Sequence, residues 1–253
     1  MRVRGLLLLT AFAAAALAAL LGLGVWQLQR LQWKEGLIAE IEARTKAPPI
    51  SLDEAVALAR KGEDFSYLRV CAEGRFDHAK ERYFFTSVDG TVGWDVLTPL
   101  TTENGEVVLI DRGFVPDALK DPASRPQGQI EGTVTLSGLA RPPETQGRFV
   151  PDNDAARNRW FWRDLTGMAR SMFPSGAPDL APFFVEAEKG DAPSGWPRGG
   201  QTRLDIPNDH LQYAITWFAI AFCLVVIYVL YVRSRWRRGG QGESPVAGKG
   251  PGS

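Results

Sequence analysis

Two charge-free runs, one near each end of the chain, constrain this sequence more than anything else in it. Residues 5–29 and 211–232 contain no Asp, Glu, Lys or Arg over 25 and 22 positions. A helix rises about 1.5 Å per residue, so either run is long enough for a hydrocarbon core of roughly 30 Å. The alanines at 13–19 imitate a signal-peptide cleavage site, but an apolar signal region is shorter, about 7–15 residues, and no polar stretch follows these alanines. We therefore expect two retained transmembrane helices, 5–29 and 211–232, with the rest of the chain between and beyond them.

Orientation follows from the flanks. Arg2 and Arg4 precede the first run, and Arg233, Arg235, Arg237 and Arg238 follow the second. Basic flanks stay on the cytoplasmic side, so both termini are expected there and residues 30–210 outside. Arg30 and Lys34 lie on that outer side and weaken the first signal; the C-terminal cluster carries the assignment. No transit-type stretch precedes the first run, which leads us to expect a bacterial inner membrane with a periplasmic central domain.

The neutral total, 29 basic against 29 acidic residues, hides a partition. Residues 30–210 hold 22 basic and 28 acidic side chains, a net −6. Such a segment lacks the concentrated basic face that a phosphate backbone requires, so nucleic acid is excluded as a partner. Two cysteines, Cys71 and Cys223, and two histidines, His78 and His210, are too dispersed for a structural zinc site or an easy disulfide; each cysteine reads as a small buried apolar residue.

Between the runs, 31–44 continues as helix until Ala47-Pro48-Pro49. Ser51 and Glu54 form a capping-box pattern opening a short amphipathic helix, LDEAVALAR. From Tyr67 the period becomes that of strands: YLRVCAEGRF, ERYFFTSV, GWDVLTPL, GEVVLIDRGFV, GTVTLSGLA, RNRWFWRDL and PFFVEAEK, with TGMARSMF as a short helix. The expected fold is a membrane protein whose two transmembrane helices bracket a mainly β, extracytoplasmic α+β domain, an antiparallel barrel or sandwich. The Gly/Pro/Ser-rich stretch closing 233–253 reads as a disordered cytoplasmic tail. Asp77-His78 is best read as a surface turn with a solvated imidazole, since no nucleophile frame accompanies it.

His210 heads the second run on its outer side, with Tyr213, Ala214 and Trp217 following at helical spacing. The first run ends at the same depth with Gly22, Gly24, Trp26, Gln27 and Arg30, and the two small glycines would let the helices approach. These residues place one imidazole, aromatic walls and a cation together. The residues alone leave two readings open: an axial ligand for haem, or an ordinary interfacial belt of polar and aromatic groups.

Six segments, taken in order, then resemble one known family. GLGVWQLQRLQWK, GRFDHAKE, LIDRGFVP, GQIEGTVTLSGLARPPE, FVPDND with RNRWFWRD, and GGQTR with NDHLQYAITWF are similar to the Surfeit locus protein one family, from Gly22 to about Trp217. The resemblance implies an assembly factor, not an enzyme, for haem–copper cytochrome c oxidase, acting in maturation of the haem a centre of subunit I. It also implies haem a as a transiently bound group, with the His of the HLxYxxTW motif, His210 here, as iron ligand. No other metal is expected. Roles for Trp26, Gln27, Arg30, Tyr213 and Trp217 in the pocket are our inference from depth and helical phase. Subunit I and the lipid bilayer are the expected partners, with haem a synthase a candidate donor. A haem-free scaffold for nascent subunit I is the alternative.

Overall fold

The structure, a computed structural model, describes residues 3–176, 179–190, 195–201 and 206–239. The chain divides into two compact units, one of Met1–Ile38 with Ile206–Ser253 and one of Ala39–Asp205.

The first unit is built from two long helices. α1 (Val3–Lys46) is unbroken through the first apolar run and the charged stretch after it, and it stops where Ala47 meets Pro48-Pro49. The residue before a proline is pushed out of the helical region, and the proline ring removes a donor, so the stop is local and steric. The second long helix, His210–Gly239, does not end at Val232 either. It continues past Arg233, Arg235 and Arg237, so this part of the expected tail is helical, while 240–253 lie outside the described residues. Both helices are long and apolar enough to cross a membrane. Large apolar side chains such as Leu8, Phe12, Phe222 and Ile227 stand exposed along them, as lipid-facing surfaces require. Cys223 is exposed on the second helix and Cys71 is half-buried in the other unit, both as free thiols, so neither is the fully buried residue expected.

The second unit is a closed barrel. Its strands are β1 (Ile50–Ser51), β2 (Arg69–Phe76), β3 (Arg82–Val88), β4 (Thr91–Thr101), β5 (Val107–Pro116), β6 (Thr133–Arg141) and β7 (Leu180–Ala187). They lie in the order β1-β2-β6-β7-β5-β4-β3, and a further pairing of Arg75 and Phe76 of β2 with Thr101 and Leu100 of β4 closes five of them into a ring. Closure pairs both sides of those five strands and leaves β1 and β3 as appended strands. The expectation of an antiparallel sheet needs one correction. β5 and β7 pair in parallel, because β6 and a helix, α3 (Leu165–Met172), intervene and return the chain in the same direction; β1 is also parallel to β2.

The interior holds Val70, Ala72, Leu100, Val108, Ile110 and Phe183, and α2 (Leu52–Arg60) plugs one end through Leu52, Ala55 and Val56. α2 begins as its sequence predicts: Ser51 Oγ accepts from Glu54 N at 3.2 Å. On the outer side, α3 lays Leu165, Met168 and Met172 over Leu97, Leu109 and Phe184. Asp164 caps α3 through Gly167 N at 2.9 Å.

RNRWFWRDL is not a strand. Asn158 sits at φ 52°, and Asn153 Oδ1 accepts from the backbone N–H groups of Phe161 and Trp162 that a ladder would use. The segment's backbone meets β3 in a bridge at Trp160, which exchanges bonds with Phe85 and Tyr83 at 2.7 and 3.0 Å, and the fully buried Trp160 ring fills the space beside Leu97 and Leu109. Gly113 has a specific cause. Its φ is 101°, and a Cβ there would lie 2.1 Å from the backbone oxygen of Arg198, which bonds to Phe114 next door.

Candidate functional site

α4 (His210–Gly239) begins after Pro207-Asn208-Asp209, and Tyr213 N bonds to Asp209 O at 3.2 Å to close its first turn. His210 is therefore the first helical residue, with its imidazole half-buried. Its Nδ1 lies 2.7 Å from Oε1 of Gln27 on α1. An amide oxygen only accepts, so Nδ1 donates, and in the neutral ring Nε2 is the nitrogen with the lone pair. Metal-binding histidines are held in this way, one ring nitrogen donating to an oxygen while the other ligates.

The pairing of α1 and α4 extends well beyond this bond. Ala214 and Ala221 are buried, and the Phe218 ring lies against Gly24, where a Cβ would come within 2.7 Å. Further along, Tyr228 Oη donates to Thr10 Oγ1 at 2.7 Å, the Thr10 hydroxyl being given to Leu6 O. Gln27 and Thr10 are 17 residues apart, about 26 Å along a helix, so the two polar ties bracket the apolar stretch. Lys34 Nζ donates to the Pro207 carbonyl just before α4.

Of the residues proposed from the sequence, His210 and Gln27 come together. Trp217 is half-buried beside the same helical stripe. Tyr213 is not on it: its side chain is 56% exposed while Ala214 is 1% exposed. A step of three residues turns a helix about 60° short of a full number of turns and a step of four overshoots by about 40°, so the stripe facing α1 follows 210, 214, 218 and 221. Trp26 is more than half exposed. The Arg30 guanidinium stacks over the Trp33 ring at 3.8 Å, one turn further along its own helix. Gly22 has open space where a Cβ would be, so Gly24 alone provides the close approach expected of both. Sequence reasoning missed Phe218, Thr10 and Tyr228; for Tyr228 the signal was the seven-residue spacing of 214, 221 and 228 along α4, hidden among equally apolar neighbours.

The barrel unit contains two buried charge networks that are not legible in the sequence. In one, Glu81 receives Arg125 and, at 3.4 Å, Arg112. Burial alone would raise Glu81, but the His78 hydrogen bond and the two guanidiniums outweigh it and hold the carboxyl at about 2. His78 is thus no solvated turn residue: Nε2 bonds to Ile130 O at 2.9 Å and Nδ1 faces Arg112 and Glu81. In the other, Arg163 Nη2 meets Asp111 at 2.9 Å and Asp95 and Glu186 at 3.4 Å each. Burial and the neighbouring Asp111 charge push Asp95 up to about 8, against the pull of Arg163. Among the described residues no cluster of three or more His, Cys, Asp and Glu is arranged to hold a metal ion. The chemistry the site on the helix pair offers is therefore a single, oriented imidazole nitrogen.

Comparison with known proteins agrees with the earlier resemblance. A profile of the SURF1 family matches residues 14–222. Surfeit locus protein 1 of Homo sapiens is 41% identical over 217 residues, covering 79% of this chain and 69% of that protein. Surfeit locus protein 1 of Xenopus tropicalis is 38% identical, covering 83% of this chain and 71% of that protein. A SURF1-like protein of Monosiga brevicollis is 38% identical over 236 residues, 88% of this chain and 87% of its own length.

Proposed function

The chain belongs to the SURF1 family, which implies a role in cytochrome c oxidase assembly, and from that premise we propose that it binds haem a as cargo through His210 and aids its insertion into subunit I. The observation that carries this reading is the Gln27–His210 bond, which fixes the tautomer a ligand needs and leaves Nε2 available. His210 would be the axial ligand; the half-buried Trp217 and the apolar flanks of α1 and α4 would cover the ring system. Haem a is largely apolar, and each Å² kept out of water is worth about 25 cal/mol, so a membrane-embedded carrier avoids a large cost during transfer. Only one histidine lies on the helix pair, and a single axial bond suits handover better than two.

In this reading both termini are cytoplasmic, the barrel is periplasmic in a bacterial inner membrane, and the protein acts as an assembly factor rather than an enzyme. The basic residues after the second span and the two apolar helices support that topology. The test is an absorption spectrum of the full-length protein purified from cells that make haem a. The wild type is expected to carry haem and His210→Ala to lose it. Stoichiometric haem in His210→Ala would remove this residue from the site. A haem-free wild type that still co-purifies with subunit I would replace the carrier by a scaffold.

A further inference from the structure

Among the described residues, a helix stoppers one end of the barrel, α2. α2 packs over the end where β7 begins, beside Ala181. At the opposite end β7 stops at Ala187, and a cavity of about 360 Å³ opens there. Its floor is apolar, formed by Phe76, Ile110, Val134 and Leu136, all within or packed against the barrel core. Arg112 and Lys189 stand at its rim. Small-molecule sites occupy roughly 300–1,000 Å³ and recur in the mouths of barrels.

The charge at this mouth is unbalanced. Arg112, 8% exposed, gives Nη2 to the neutral Gly128 carbonyl and Nη1 to His78 at 3.3 Å, and it shares its one anionic partner, the Glu81 carboxylate at a long 3.4 Å, with Arg125. Glu188 is committed to Arg69, at 2.6 and 2.8 Å. Lys189 is exposed and forms no ion pair among the described residues. Of the charged side chains lining the mouth, Arg112 and Lys189 are basic, and the one acid, Glu188, is already paired with Arg69. Burial lowers Arg112 to about 10 with Glu81 only partly opposing it, as expected of a guanidinium short of negative partners. An apolar floor beneath an excess of cations is complementary to an amphipathic anion and repels a cationic one.

We infer that this barrel mouth binds a monocarboxylate with a short aliphatic chain, its tail against Phe76, Ile110 and Leu136 and its head group between Arg112 and Lys189. The inference rests on the barrel unit and is independent of the haem reading.

Hexanoate titrated calorimetrically into the full-length protein in lipid nanodiscs, with empty nanodiscs subtracted, tests it. Saturable binding is expected, with hexanol and hexylamine at least about tenfold weaker because they lose the charge-assisted bonds. Lys189→Glu, at an exposed position, is expected to weaken hexanoate by on the order of tenfold. Leu136→Trp should fill the floor and abolish binding, with near-ultraviolet circular dichroism reporting that the barrel is intact; if it is not, Lys189→Glu decides. Absence of saturation below about 10 mM, hexylamine binding as well as hexanoate, or Lys189→Glu binding like the wild type would each overturn the assignment.

Discussion

Asp95→Asn removes one titratable group from the most crowded polar site in the barrel unit. Asp95 is 8% exposed; one carboxylate oxygen lies 3.4 Å from Arg163 and the other, Oδ1, has no hydrogen-bond partner among the described residues. Burial, reinforced by Asp111 and Glu186, raises its pKa to about 8 in spite of Arg163. An unfolded aspartate titrates near about 3.9. The folded value is the higher one, so the folded state holds an extra proton between roughly pH 4 and pH 8, and stability falls as pH rises through that window. One pKa unit corresponds to about 1.4 kcal/mol, so the loss between pH 5 and pH 8 is on the order of 3–4 kcal/mol. Asparagine is neutral throughout and escapes it. Relative to the wild type, the variant should gain stability from pH 5 to pH 8 by that amount, roughly 10 °C in Tm for a chain of this size. Thermal unfolding of the full-length protein in detergent, followed by near-ultraviolet circular dichroism at both pH values, measures the difference. Parallel Tm profiles, or a gap that closes as pH rises, would refute the reasoning.

Glu81→Gln leaves Arg112 and Arg125 buried without their carboxylate and should cost about 3–5 kcal/mol in urea unfolding at pH 7. Here the folded pKa, about 2, lies below the unfolded value of about 4.3. The ion-pair contribution is therefore complete above pH 4.3 and fades toward pH 2, and the gap between variant and wild type should narrow over that range. Gly113→Ala forces a Cβ into the Arg198 backbone at positive φ; a loss of at least about 2 kcal/mol is expected, and a neutral substitution would show that the Phe114–Arg198 bridge is dispensable. Gln27→Leu removes the acceptor of the His210 Nδ1 proton and should weaken haem a loading by roughly 10–100-fold in an absorbance titration, with Gln27→Glu restoring most of it. Unchanged loading in Gln27→Leu would deny it a positioning role.

The apolar runs, the capped start of α2 and most strands were legible because each is set by a local pattern: hydropathy, an N-cap, a period of two. Misreadings arose where a side chain took over a backbone group or where partners are distant in sequence. RNRWFWRDL alternates like a strand, yet Asn153 and Asn158 divert its backbone into a loop. Asp95, Asp111, Arg163 and Glu186 each look like the polar member of an alternating or loop segment, and only the closed barrel brings them together. The Asp95 position also depends on a slip in the β4–β5 register between Asp95 and Leu97, which no residue pattern announces. At the helix pair, distance along each run was readable, and His210 and Gln27, expected at a similar level, lie 2.7 Å apart. Azimuth was not, because α1 and α4 are apolar all round and a lipid-facing Tyr213 resembles a buried one.

The grip of α1 on α4 also has a consequence for the barrel. Both ends of residues 39–205 run into these two helices, which clasp one another at Gln27, Gly24 and Thr10. When the barrel melts, its chain is not released as a free-ended coil but stays a cinched loop, poorer in conformations by an amount comparable to a long-range crosslink, about 4–5 kcal/mol. The clasp therefore acts as a non-covalent staple, and loosening it within the apolar pair destabilises the β-domain through the connecting chain.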